Sequence, residues 1–382
     1  MKRLAKALVS ARPPAAYYIC CIFLPGAIPI SKESKIGERR ERKATPVRLK
    51  DIAQDLGLST VTISKVLRDH SDISEETRKR VLKRMEELHY QPNFAARALI
   101  TGRTYTIGLV VPDLLHPFFA QVAKAISSVI SKQGYSLMIT SSEEDPQLER
   151  QEIEQLLARR VDAVVIASAQ WTVESFRRIE AMHIPYVLID RYFVGLAANF
   201  VGVDDEQVGF IATQHMIEQG CQRIAHIRGP ETSTAQGRVE GYRRALGAHN
   251  LSPLPEHLIS IGTSGDDRGE PGGYEAAKRL LACDPRPDGI FCFNDPIALG
   301  AMRAILDAGL RIPEDIAVAG CGNISYSDFL RVPLTSVDQD SYAIGLRAAE
   351  MALSLVGSDE IVRPQKVLTD VQLMVRASTQ RR

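Results

Sequence analysis

Residues 56–70 read LGLSTVTISKVLRDH, and the spacing within them decides the reading of the chain's front end. On a helix of about 100° per residue, Ser59 to Arg68 gather Ile63, Val66 and Leu67 on one side, the stripe a helix buries. Thr60, Val61, Ser64, Lys65 and Arg68 gather on the other. Val61 is therefore the one large apolar residue on a polar, basic face. Upstream, VRLKDIAQDLG spaces Leu49, Ile52, Ala53 and Leu56 as a helix would and stops at Gly57, a turn residue. Ser59 is placed to cap the second helix. Downstream, Ser74 caps SEETRKRVLKRMEELHY, where Val81, Met85 and Leu88 form a third packing face, and Pro92 ends the unit. Three short helices with a polar outer face on the second make a helix-turn-helix, whose outer face enters the major groove. Thr60, Val61 and Ser64 then reach base edges, Lys65 donates to guanine acceptors or a phosphate, and Arg68 suits phosphates. A valine finds one good partner there, the C5-methyl of thymine or another apolar base-edge surface. A plain three-helix domain with a solvated face is the competing reading of these residues alone.

Charge divides the chain at the same place. The formal net charge is +1 over 382 residues, yet the stretch through Gly102 holds 20 Lys/Arg against 11 Asp/Glu and the remainder 27 against 35. A basic front on an acidic body points to a polyanion for the front only. The length admits two or three domains, and 45% apolar residues are ordinary for a globular protein. The six cysteines have no metal-ligand spacing, which fits reduced, buried thiols in a cytoplasmic protein. With no phosphate-binding Gly-rich loop, no G-x-S-x-G and no His/Cys cluster, no enzyme, cofactor or metal is expected. Residues 1–45 carry a basic stretch and then AAYYICCIFLPGAIPI, which has the look of a signal peptide. The apolar run is too short, and too broken by Pro25 and Pro29, for a membrane span. It reads as a poorly ordered extension or as sequence upstream of the true start.

The remaining plan is a head over 46–91, a hinge over 92–103 and a body over 104–382. The hinge stretch QPNFAARALITGRT contains helix formers but is too short to hold as an isolated helix. In the body, Val/Ile-rich runs (TIGLVV, YSLMIT, VDAVVIA, PYVLID, NFVGVD, RIAHIRG, HLISIG, DGIFCF, DIAVAG) alternate with amphipathic segments, and KVLTDVQLMV is the last strand expected. Such alternation means parallel sheets covered on both faces, and there are too many strands for one sheet. GDDRGEPGG reads as a flexible loop before a helix. Open α/β sheets bind ligands beyond the carboxyl ends of their strands. The residues there are Asp113, His116, Phe118 and Phe119, then Ser168, Gln170, Asp190, Arg191, Arg238, Asn294, Asp295, Asn323 and Gln339. Asp113 can accept from ligand hydroxyls and Phe118 can stack on a sugar's apolar face. Asp295 reads instead as a helix N-cap.

LKDIAQDLGLSTVTISKVLRD, YQPNFAARAL, IGLVVPD and FNDPIALGAMRAILDAG, in that order, resemble the LacI/GalR family of bacterial transcription regulators over nearly the whole chain after residue 46. The resemblance implies a small all-α helix-turn-helix DNA-binding domain plus a two-lobed α/β periplasmic-binding-protein-like effector domain, with the chain crossing three times between lobes. It implies a homodimer on double-stranded operator DNA, with a small carbohydrate-like effector controlling affinity. The hinge then meets DNA through Asn93, Ala96 and Leu99, and Leu99 wedges a base step in the minor groove. Arg238, Asn294 and Gln339 fall on the family's effector positions, with Asp113 and Asp190 aligned beside them; Phe118 and Asn323 join the effector candidates as strand-end residues. One departure is GCGN at 320–323, where many members carry an aromatic and two acidic residues, so a neutral or less hydroxylated effector is expected. No heptad-patterned tail follows the last strand, which favours a dimer. An exported sugar-binding protein is the alternative, and a nucleoid binder without a ligand cleft is a third class.

Overall fold

The computed structural model describes residues 47–67, 70–90, 98, 101–170, 172–261, 269–358 and 363–381. The chain divides into two compact units after Gln91. In the first, α1 (Leu49–Leu56), α2 (Thr60–Leu67) and α3 (Glu75–Glu87) enclose Ile52, Ala53, Ile63, Val66, Val81 and Met85. Gly57 ends α1 at φ 64°, a left-handed turn that glycine adopts freely. Ser59 Oγ accepts from the Thr62 N–H at 3.0 Å, and Ser74 Oγ from the Thr77 N–H at 3.3 Å, so both expected serine caps are present. Leu67 differs from expectation. It is the last residue of α2 and stands 39% exposed at the edge of the buried stripe.

The second unit holds two six-stranded sheets. The first lobe orders its strands β2 (Ser136–Ser141), β1 (Thr106–Val111), β3 (Ala163–Ile166), β4 (Tyr186–Ile189), β5 (Asn199–Gly202) and β11 (Lys366–Leu368), all parallel. The second orders β7 (Leu258–Ser260), β6 (Ile224–Arg228), β8 (Gly289–Cys292), β9 (Ala317–Cys321) and β10 (Thr335–Asp338) in parallel, closed by an antiparallel β12 (Gln372–Met374). The central strands β3, β4, β8 and β9 are buried along their whole length, as continuous Val/Ile/Ala runs require. The first lobe is clothed by α4 (Pro117–Ile130), α5 (Pro146–Ala158), α6 (Glu174–Ala181) and α11 (Ser341–Gly357). The second carries α7 (Asp205–Glu218), α8 (Ser233–Ala248), α9 (Gly269–Leu281) and α10 (Asp295–Asp307). The chain passes between lobes after β5, after β10 and after β11.

Three sequence expectations change here. KVLTDVQLMV is two strands in different lobes, not one. The four-residue strand β10 was not expected, because its Thr335 and Ser336 are polar. Both are buried, with Ser336 Oγ donating to Asp295 Oδ1 at 2.7 Å and the Thr335 N–H to Ser378 Oγ at 2.8 Å. The glycines at the end of GDDRGEPGG lie in the first turns of α9, not in a loop.

Glycine sets the spacing of the paired helices. A Cβ on Gly209 would lie 2.1 Å from the Arg238 carbonyl oxygen, and one on Gly241 1.9 Å from that of Glu206, so α7 and α8 touch backbone to backbone. Gly273 and Gly300 do the same for α9 and α10, against Ile297 O at 2.1 Å and Glu270 O at 1.9 Å. Close crossing of α7 and α8 is what brings Arg238 beside Asp205.

Candidate functional site

On the head, the outer face of α2 carries Thr60 and Val61, both exposed, with Ser64 and Lys65 half-buried behind them. Val61 is 62% exposed, so its apolar surface is not part of the head's core. The Lys65 ammonium is ion-paired with Asp72, whose carboxyl it holds below the usual range through that hydrogen bond. Two of its three N–H donors have no partner among the described residues. Arg68, Asn93, Ala96 and Leu99 lie outside the described residues.

In the body, the strand carboxyl ends of both lobes converge on a cavity of about 490 Å³, within the range of small-molecule sites. Asp113 follows β1, and its Oδ1 accepts from the Leu115 N–H at 2.8 Å. His116 caps α4, Pro117 takes the first helical position, and Phe118 and Phe119 meet edge to face at 5.1 Å. Asp190 and Arg191 follow β4, Asn294 follows β8, Cys321 ends β9 and Gln339 follows β10. Asp113, Phe118, Asp190, Arg238, Asn294 and Gln339 thus line one cavity together. Asn323 is not among the lining residues. Its amide is committed to Asp338 and Arg376, each at 2.8 Å, so it braces the loop after β9. Asp295 is not the N-cap of α10. Asn294 is, accepting from the Ile297 N–H at 3.0 Å, while buried Asp295 accepts from Ser336 and from the Ile324 N–H at 2.9 Å.

Among the described residues, both cleft guanidinium groups are held by carboxylates. Arg191 makes a two-pronged pair with Glu144 at 2.8 and 2.6 Å and donates to the Ser168 carbonyl at 3.1 Å. Arg238 Nε donates to Asp205 at 3.0 Å, Nη1 to the Phe293 carbonyl, and the guanidinium lies 4.4 Å from the centre of the Phe293 ring. Burial pushes the Asp205 carboxyl up to about 6 although Arg238 pulls it down. Burial also raises Asp190 against the pull of Arg191 and Arg238. Burial lowers His116 to about 4, so its ring is neutral near pH 7. Gln339 Oε1 accepts from the Cys321 thiol at 3.3 Å, and its buried Nε2 has no partner among the described residues. A buried donor without a partner is costly, and at a cavity wall it suits a ligand acceptor.

Sequence reasoning did not assign Glu143, Glu144, Glu231, Thr232, Glu270 and Phe293 to the cavity. Glu143 and Glu144 follow β2 and Glu231 follows β6, so the strand-end rule reached them had it been applied to every strand. Ser168 turns out to be structural. It is buried and donates to Glu149 at 2.6 Å.

A helix-turn-helix with an outward valine and a two-lobed clamp lined by carboxylates, aromatic rings and buried amides define a ligand-responsive DNA-binding regulator. Comparison with known proteins agrees. Residues 48–93 match the bacterial regulatory proteins of the lacI family, and residues 104–376 match the periplasmic binding proteins and sugar-binding domain of the LacI family. Similar relatives include the HTH-type transcriptional repressor PurR of Mannheimia succiniciproducens, 30% identical over 87% of this chain and 98% of that protein. PurR of Haemophilus influenzae is 32% identical over 86% and 98%. Among solved structures, the Lac repressor dimer bound to operator and the anti-inducer ONPF is 27% identical, covering 88% of this chain and 99% of that one, with a TM-score of 0.76. The transcriptional regulator CelR–cellobiose complex is 27% identical over 87% and 99%, with a TM-score of 0.66. The chain belongs to the LacI family. It is a DNA-binding transcriptional repressor with a ligand-binding effector domain, and the exported-protein alternative is not favoured. Among the described residues no helix is long and apolar enough to cross a membrane.

Proposed function

We propose that the protein represses transcription in the cytoplasm as a homodimer on a two-fold-symmetric operator, and that a small carbohydrate-class effector between the lobes sets its operator affinity. It acts by binding, without catalysis. The observation that carries the effector half is the convergence of Asp113, Phe118, Asp190, Arg238, Asn294 and Gln339 on one cavity. Carboxylates accept from hydroxyls, a phenyl face stacks on a sugar ring, and the guanidinium and amides donate to ring and hydroxyl oxygens. The cellobiose and operator complexes of the solved relatives support the same two-site reading. On DNA, Thr60, Val61 and Ser64 read base edges, Lys65 donates to guanine acceptors or a phosphate, and Arg68 contacts phosphates. Asn93, Ala96 and Leu99 form the hinge contacts, Leu99 as the minor-groove wedge.

The test is a thermal-shift screen of neutral sugars, sugar acids and nucleosides on the full chain, followed by operator titration with each hit. A hit that shifts operator affinity, and loses its shift in Gln339→Ala, supports the reading. Hits that leave operator affinity unchanged overturn it. Leu99→Ala is expected to weaken operator binding and to leave effector binding intact; an unchanged gel-shift affinity removes the wedge.

A further inference from the structure

Lys65, the single cation of α2, is tied to an acid on the turn that follows the helix. A helix face meant for a polyanion gains affinity from bare cations, so a carboxylate beside one works against it. Stability does not account for the pair. The two side chains stand 38% and 52% exposed, and an ion pair so open to water adds little. Yet the turn is built to hold it. The His70 N–H donates to the Lys65 carbonyl at 3.1 Å, folding the chain back as α2 ends. The Ile73 N–H donates to the His70 carbonyl at 3.4 Å, and the Arg78 guanidinium, from α3, donates to the same oxygen at 2.9 Å. Asp72 sits within this turn, seven residues after Lys65, and its Oδ2 accepts from the ammonium. Its other oxygen, Oδ1, lies 4.0 Å from His70 Nδ1, beyond hydrogen-bonding distance.

A lysine is a compact charge on a flexible four-carbon stem, and alone it serves whichever phosphate is near. Pairing changes this in two ways. The carboxylate cancels much of the local field and repels a phosphate brought up to the pair, so counterion release at this point is lost. It also takes one N–H and fixes the head group, leaving two directed donors. Two donors on a fixed nitrogen suit the O6 and N7 acceptors of guanine, which carry no full charge and meet no such repulsion.

We infer that Asp72 is a positioning residue for operator specificity: by pairing with Lys65 it withdraws the ammonium from phosphates and presents it to a guanine, lowering affinity for unrelated DNA more than for the operator. The inference rests on the proposed docking of the outer face of α2 in the major groove, and it decides which of two partners Lys65 takes there.

The test starts with an operator selected from a randomised duplex library by the full chain. The parent, Asp72→Asn, Lys65→Ala and the double variant are titrated against it and against a scrambled duplex of the same composition, at about 50 to 200 mM salt. Asp72→Asn is expected to bind the scrambled duplex about threefold more tightly, with a slope of log affinity against log salt steeper by about 0.9, the share of one added phosphate contact. Its preference for the operator is expected to fall about tenfold. Both effects are expected to vanish in the Lys65→Ala background. Replacing operator guanines by 7-deazaguanine, which lacks the N7 acceptor, is expected to weaken the parent at one position and to leave Lys65→Ala unaffected there. An unchanged preference in Asp72→Asn overturns the inference. So does an effect of equal size without Lys65, which is the bare consequence of removing a negative charge. Failure of the docking reading looks different: Lys65→Ala then leaves operator affinity unchanged, and the inference falls with it.

Discussion

Arg238 illustrates what a buried charge in the cleft requires. It and Asp205 are both nearly inaccessible, with side chains 3% and 6% exposed. Removing one partner of such a pair leaves an uncompensated buried charge, costing about 3–5 kcal/mol, whereas replacing both by apolar groups is often neutral. Arg238→Met is therefore expected to lower the unfolding midpoint sharply. Adding Asp205→Leu is expected to recover most of that loss without restoring ligand binding, as melting and titration of the two variants will read. Val61 sits at the other extreme. Its exposure places Val61→Ala within about 0.5 kcal/mol of the parent in stability. Selection of operator sequences is expected to show altered base preference, and a variant that melts early with base preference unchanged would return Val61 to the core. The buried histidines set a pH limb. Burial lowers His116 to about 4 and His226 to about 3, so between there and about 6.5 the unfolded chain binds protons that the folded chain does not. Their contribution falls with pH by up to about 1.4 kcal/mol per unit per histidine. Asp205 and Asp295, each pushed up to about 6 by burial, act in the opposite sense, adding stability as pH falls from about 6 towards 3.8. Acid melts of His116→Asn are expected to lose less stability below pH 6.5 than the parent.

Helices in this body are positioned by glycines that the hydrophobic pattern does not mark. Gly241→Ala would drive a methyl into the Glu206 carbonyl and the Phe210 N–H, at 1.9 and 2.6 Å from backbone that cannot yield cheaply. It is expected to destabilise by about 3 kcal/mol or more and to separate Arg238 from Asp205. Six residues along the same helix, Gly247 has nothing within 4 Å, and Gly247→Ala is expected to stabilise by about 0.5–1 kcal/mol. Calorimetry of the pair checks both signs. Strand reading by composition succeeded where burial is two-sided, as in TIGLVV, which is β1 from end to end. It failed for β10, where buried hydroxyls replace aliphatic side chains, and for KVLTDVQLMV, where two short strands in one apolar run belong to different sheets. A periodicity rule carries no signal for which sheet a strand joins.

At the scale of the molecule, the division of head from body after Gln91 was legible because composition, charge and helix period all change near it. Most of the cavity was legible through one topological rule, ligands beyond strand carboxyl ends, which reached Asp113, Asp190 and Asn294 without coordinates. It overreached at Asn323, whose amide braces Arg376, and was not carried to the end of β2, where Glu144 neutralises Arg191. Which strand-end side chain faces the cleft and which braces a loop depends on partners far away in sequence, and pattern alone does not supply them. His116 is the sharpest case. Its neighbour across the cleft, Asn294, is 178 residues away, and only the folded chain shows their contact.

The placement of β11 and β12 also constrains synthesis. Lys366–Leu368 complete the edge of the first sheet and Gln372–Met374 that of the second, with three residues between them. Ser378 and Thr379, wholly buried, then bond to Val318, Thr335 and His215 in the second lobe. A ribosome extending this chain therefore withholds the closing strand of both lobes until residues beyond 365 have emerged. The ligand clamp matures late and all at once, while the helical head, with its core complete by Tyr90, is free to fold some 275 residues earlier (about a quarter-minute or more at bacterial elongation rates).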